Sequence, residues 1–167
     1  MTQGSIAAAE RVYDVLKELE IEYESYEHRP VYTIEDCKEI DEKTGAEMLK
    51  NLFLTNRQQT EFYLLILKGD KKFVTKDVSS RLGVSRLSFG NAEKLYEMLS
   101  LKAGAVTPFG LINLKGSIRV IIDEDIKAVE RAGFHPNTNE ATVVVSYESL
   151  MKFLRSQKAD VSFIRLD

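Results

Sequence analysis

This chain of 167 residues has one cysteine, two histidines and three prolines. A single thiol, Cys37, cannot close an internal disulfide, which fits a reducing compartment. One Cys and two His also fall short of the usual structural zinc ligand sets, so any catalysis is expected to be metal-free; no cofactor is expected either. No apolar run approaches the roughly 20 residues that span a bilayer. The N-terminal MTQGSIAAAERVYDVLKELE carries acids and no uninterrupted apolar stretch, so no secretion signal is read there. Together these absences predict a cytoplasmic protein without a membrane partner. Several familiar signatures are missing as well: the phosphate-cradling loop, Gly-x-Gly-x-x-Gly, His-Glu-x-x-His and Gly-x-Ser-x-Gly. Cys37 sits among Glu35, Asp36 and Glu39, which disfavour a thiolate and make it a poor nucleophile.

What remains is an ordinary soluble composition at a length that suits one domain, residues 1–167, with a single sizeable core. The formal net charge of −3 argues weakly against nucleic acid, but its distribution is uneven. From Glu10 to Glu47 thirteen acids face five bases, a balance of 5 − 13 = −8. From Met48 to Arg86 eight bases face three acids, a balance of 8 − 3 = +5. Within that basic band Lys68, Lys71, Lys72 and Lys76 are candidate phosphate contacts, since Lys and Arg supply most nonspecific nucleic-acid affinity. A merely solvated charged face would show the same composition.

Periodicity predicts an amphipathic helix over Ser5–Leu19, capped by Ser5, then a half-buried strand through Ile21, Tyr23 and Tyr26. Thr33 is placed to cap a short acidic helix reaching about Asp41. Leu49–Thr55 and Phe62–Leu67 read as paired strands, the second apolar enough to be covered on both faces. Phe73-Val74 is expected as a short strand, followed by a helix from Thr75 or Lys76 to about Gly83. Arg86–Phe89 reads as a strand, and Asn91 as the cap of a helix to about Leu99. Further strands are expected at Ala103–Thr107, Arg119–Ile122, Thr142–Val145 and Val161–Ile164. Helices are expected at Asp125–Arg131 and, capped by Ser146, at Tyr147–Gln157. Strands and helices intersperse without strict alternation, which indicates a mixed α/β sheet rather than a doubly wound parallel one.

Four segments suggest chemistry. Lys50 opens the strand Lys50-Asn-Leu-Phe-Leu54, where an ammonium can reach a pocket mouth or simply extend into water. Gly104-Ala-Val-Thr-Pro108 is a loop of small residues whose backbone can approach a ligand and offer N–H groups to a carbonyl developing charge. Gly133-Phe-His-Pro-Asn137 brings His135, whose reference pKa of ~6.5 suits acid, base or hydrogen-bonding roles. His28-Arg29-Pro30-Val31 is a strand-ending turn, since Pro30 disfavours helical geometry at Arg29.

These segments, with Ser85-Arg-Leu-Ser-Phe89 and the continuation to Asn113, resemble in order and spacing the YbaK and prolyl-tRNA synthetase-associated editing-domain family. Over nearly the whole chain the sequence is similar to its free-standing alanyl-prolyl-tRNA deacylases. The resemblance implies a mixed α/β domain with a strongly bent sheet flanked by helices. It implies hydrolysis of the ester between an amino acid and the tRNA 3′ adenosine, alanine on tRNA(Pro) first and cysteine or another noncognate residue as the alternative. Lys50 becomes the essential lysine near the terminal nucleotide, Gly104 the head of the loop that handles the carbonyl, and His135 the pocket histidine. Val31, Asn51, Ala105, Val106, Thr107, Pro108 and Phe134 become substrate contacts, with Phe134 bulky enough to help exclude a larger amino acid. Aminoacyl-tRNA is the implied partner, prolyl-tRNA synthetase a further one, and the chain is expected to be a monomer. A noncatalytic module that binds tRNA or a synthetase is the competing reading. One departure is that Leu114 follows Asn113 where the family commonly shows Asn-Asp.

Overall fold

The computed structural model describes residues 1–166. Helix α1 spans Gln3–Glu18 and buries Ala9, Val12 and Leu16 along one stripe. It starts earlier than expected: Thr2, not Ser5, is its cap and accepts from the Ser5 amide at 3.1 Å. Strand β1 (Glu24–Glu27) follows, and α2 (Ile34–Thr44) begins with a reciprocal capping box between Thr33 and Asp36. Strands β2 (Glu47–Met48), β3 (Lys50–Thr55) and β4 (Phe62–Leu67) come next. Then α3 (Thr75–Leu82), β5 (Ser88–Phe89) and α4 (Ala92–Leu99) alternate. The Asn91 side chain caps α4 by accepting from the Lys94 amide at 2.7 Å. After a 3-10 turn at Pro108–Asn113 come β6 (Arg119–Asp123) and a second 3-10 turn at Glu124–Ala128. Strands β7 (Ala132–Phe134) and β8 (Ala141–Val145), helix α5 (Tyr147–Ser156, capped by Ser146) and β9 (Asp160–Ile164) complete the order.

The strands form two mixed sheets, β1-β8-β7-β2 and β5-β3-β4-β6-β9. Only Leu49 separates β2 from β3, and its amide still donates to the Gly133 carbonyl at 3.3 Å. The chain therefore leaves one sheet and enters the other within a residue, which gives the bent sheet its bend. β4 lies inside the larger sheet, with residues 63–67 buried, as its apolar run requires. Leu64 and Ile66 enter the main core beneath α1, α4 and α5, while Tyr63, Leu65 and Leu67 enter a second core with Val78 and Leu87. β5 pairs only with Leu54 and Thr55, so the edge of β3 from Lys50 to Leu52 meets no strand there among the described residues.

Several expectations change. Phe73-Val74 is not a strand, and Ala103–Thr107 is a loop because Gly104 has φ +89, outside the extended region. The helix expected over Asp125–Arg131 is a shorter 3-10 turn, started by the Asp123 carboxylate accepting from the Asp125 amide at 3.3 Å. Strands β2 and β7, two and three residues long, are too short for a period to be read. Among the described residues no helix is long and apolar enough to cross a membrane.

Candidate functional site

The open edge of β3 borders a cavity of about 350 Å³. β3 contributes Asn51 and Phe53, β5 contributes Phe89, the turn into α4 Gly90, the loop after α4 Gly104 and Val106, and the segment after β7 His135. Asn51 and His135 are the only polar side chains lining it among the described residues. The rest of the wall is aliphatic or aromatic, so a polar ligand has few and specific places to bond.

Asn51 spends its amide on the Leu49 carbonyl at 3.3 Å, and its Oδ1 is buried with no partner among the described residues. A buried acceptor left unpaired is costly, and a ligand donor entering the cavity would relieve it. His135 is half-buried, with Nδ1 3.3 Å from the Ala141 carbonyl. A carbonyl only accepts, so Nδ1 carries the proton and Nε2 of the neutral ring keeps its lone pair. Burial pushes the His135 imidazole below its ordinary range; the Ala141 hydrogen bond opposes this and His28 nearby reinforces it. The ring is therefore neutral at pH 7. Gly104 presents only backbone, and at φ +89 no residue with a side chain fits without strain. Ala105 and Thr107 fix the loop: the Ala105 amide donates to the Lys102 carbonyl at 3.1 Å, and the Thr107 hydroxyl accepts from the Phe109 amide at 3.4 Å. Pro108 starts the 3-10 turn as its ring geometry favours.

The structure brings Asn51, Gly104, Val106 and His135 together at this cavity, and places the other predicted residues elsewhere. Ala105, Thr107 and Pro108 are buried behind the loop they support. Phe134 is fully buried in the main core, edge-on to Phe109 at 5.9 Å, so it does not form the cavity wall that would limit a substrate's size. Val31 packs with Ile40, Met48 and Cys37 in a separate small cluster. Lys50 stands between two residues of the wall, Leu49 and Asn51, yet its ammonium turns away and donates to the Lys71 carbonyl. Strand alternation explains this, because neighbours in β3 project to opposite faces.

The four lysines separate equally clearly. Lys71 is nearly enclosed: its ammonium lies 2.8 Å from the buried carboxylate of Asp123 and 2.7 Å from Asp125, and donates to the Leu166 carbonyl at 2.6 Å. Burial works against its charge, but bonds to both carboxylates outweigh that and raise its pKa. It is an internal tie, not a free phosphate contact. Lys68 approaches Glu47 at 3.8 Å, while Lys72 and Lys76 are exposed.

Two site neighbours lie in segments the sequence singled out but were given no role there. His28 Nε2 is 2.8 Å from the Thr142 hydroxyl, on the strand whose Ala141 carbonyl holds His135. Phe89, at the cavity rim, is exposed despite its ring; its signal in the sequence is its place at the end of the Ser85–Phe89 block. A larger open groove of about 700 Å³, bounded by Ile21–Glu24, Arg131 and Ser146, contains none of the predicted site residues.

Comparison with known proteins identifies the family. A family model described as the aminoacyl-tRNA editing domain matches residues 28–153. Prolyl-tRNA editing protein ProX of Acetoanaerobium sticklandii is 37% identical over 150 residues, covering 89% of this chain and 92% of that protein. Prolyl-tRNA synthetase associated domain-containing protein 1 of Mus musculus is 30% identical over 154 residues, covering 89% of this chain and 90% of its own. A solved structure described as a candidate trans-editing enzyme for prolyl tRNA synthetase matches with a TM-score of 0.71 over 96% of this chain and 98% of that one. Its 17% identity makes that a likeness of fold alone.

Proposed function

The chain belongs to the aminoacyl-tRNA editing-domain family, and on that premise we propose that it hydrolyses wrongly aminoacylated tRNA, with alanine on tRNA(Pro) as its substrate. The observation that carries this is the pairing of Gly104 and His135 with an unsatisfied Asn51 oxygen in one small apolar cavity. Among the described residues the cavity wall offers no serine, threonine, cysteine or carboxylate to form an acyl intermediate. An aminoacyl ester is already activated, so a positioned water and stabilisation of the carbonyl suffice.

In this reading the Asn51 Oδ1 accepts from the α-amino group of the esterified residue. The Gly104 backbone faces the carbonyl and stabilises the oxyanion as water adds to the carbon. The acyl carbon–oxygen bond then breaks, and the ribose oxygen leaves with a proton. Nε2 of neutral His135 accepts a hydrogen bond from the water or from the neighbouring ribose hydroxyl, which relays the proton. Lys50 has a flexible four-carbon stem at the edge of this wall. On substrate binding its ammonium exchanges the Lys71 carbonyl for an oxygen of the terminal nucleotide.

Selectivity follows from size. A pocket discriminates weakly against a smaller side chain, since a methylene is worth about 1–3 kcal/mol, but it refuses a larger one by clash. Phe53, Leu95 and Val106 are the apolar walls placed to do this. Cytoplasmic action as a monomer on charged tRNA, with prolyl-tRNA synthetase as the enzyme whose errors it clears, belongs to the same proposal. Lys50→Ala tests the site directly: deacylation of Ala-tRNA(Pro) is expected to fall at least tenfold, and a rate near wild type removes Lys50 from the mechanism.

A further inference from the structure

We propose that Phe89 is a stacking platform for the unpaired terminal base of the tRNA acceptor end. The proposal rests on the editing reading and adds a nucleobase site to it. Phe89 is 62% exposed although it belongs to a strand, and it sits on the rim of the cavity. Tyr32 and Tyr96 are also exposed, but neither borders the cavity.

The ring is held in place rather than loosely displayed. Its backbone pairs with Leu54 in β3, and the next amide, Gly90, donates to the Phe53 carbonyl at 2.9 Å. Gly90 lies so close to the Phe53 ring that a side chain there would overlap it, which locks the turn behind Phe89. Phe73 braces the ring from one side, with centroids 5.4 Å apart and planes inclined at 60°. A braced ring with open surface gives up little conformational freedom when a base stacks on it.

Charge points the same way. From Lys72 to Phe89 four bases accompany one acid, a balance of 4 − 1 = +3. Lys72 and Arg86, close in sequence to the two rings, are exposed. Aromatic rings among cations are the recurring means of holding single-stranded nucleic acid. The covalent link selects the occupant: an amino acid in the cavity is esterified to a ribose, so its base must lie within one nucleotide of the mouth.

The test uses a nonhydrolysable alanyl-tRNA analogue with an amide in place of the ester, and the same RNA lacking the terminal base. Wild-type protein is expected to bind the abasic RNA about 5- to 100-fold more weakly, the range base stacking supplies. Phe89→Ala should bind both RNAs with the same reduced affinity, and Phe89→Tyr should restore the difference. Because the ring is exposed, Phe89→Ala should melt within about 2 °C of wild type. If Phe89→Ala still discriminates between the two RNAs as wild type does, the stacking proposal is overturned. Wild type that deacylates no aminoacyl-tRNA would instead overturn the editing reading beneath it.

Discussion

The Lys71 ammonium meets the fully buried Asp123 carboxylate at 2.8 Å, while the Lys71 carbonyl receives the ammonium of Lys50. One residue thus joins the turn after β4 to the end of β6 and also parks the lysine beside the cavity. Removing one partner of a buried pair leaves the other uncompensated. Lys71→Met is expected to cost about 3 kcal/mol, at the low end for such pairs because Asp125 stays hydrated, and to lower Tm by roughly 6–12 °C. The salt dependence of tRNA binding should be unchanged. A reduced salt slope at unchanged Tm would restore Lys71 as a phosphate contact.

Lys72 and Lys76 should behave in the opposite way. Both are exposed, so replacing each by Ala should alter stability by less than about 0.5 kcal/mol. Each should weaken tRNA binding at low salt and reduce the slope of log K against log salt by about 0.7–0.9. Titrations at several salt concentrations read this out, and identical slopes would exclude both side chains from the tRNA surface.

His135 predicts an acid limb. Burial lowers its folded pKa beneath the unfolded value of ~6.5, so the unfolded chain takes up this proton first as pH falls. The stabilisation from the neutral ring is complete above about pH 6.5 and drains away as pH drops through the folded pKa. Enzymatic deacylation, corrected for the spontaneous reaction, should hold to below pH 6.5 and then decline. His135→Ala should lower the rate and abolish the decline; an unchanged profile would place the ring outside the chemistry.

Gly104→Ala separates backbone geometry from space. A Cβ there would find room, its nearest contact being Asn139 Nδ2 at 3.7 Å, but φ +89 imposes strain of about 1–2 kcal/mol. A Tm loss of roughly 2–8 °C is expected with a much larger loss of rate, about 100-fold if the loop holds the oxyanion. A rate that falls no further than the stability loss accounts for would remove the loop from catalysis.

Much of the frame was legible because local signals were strong. Thr33, Asn91 and Ser146 cap the helices expected of them, and the run at residues 62–67 became the buried central strand. Ser5 lost to Thr2 because a hydroxyl one turn earlier reaches the same helix, a choice composition cannot make. At the site, period two predicts that Lys50 and Asn51 diverge but not which one meets the cavity. Choosing between them requires the missing strand beside residues 50–52 and the approach of His135 from far along the chain. Lys71 and Lys72 are identical neighbours in sequence; Asp123, 52 residues away from Lys71, makes one internal and leaves the other exposed.

The most direct test is hydrolysis of Ala-tRNA(Pro), Cys-tRNA(Pro) and Pro-tRNA(Pro) in parallel by wild type and by Asn51→Leu. Wild type should release alanine at least tenfold faster than proline, with cysteine reporting how tightly the cavity is gated, and Asn51→Leu should lose most of that activity. Hydrolysis of none of the three, or equal rates for wild type and variant, would contradict an editing site at the Asn51–Gly104–His135 cavity.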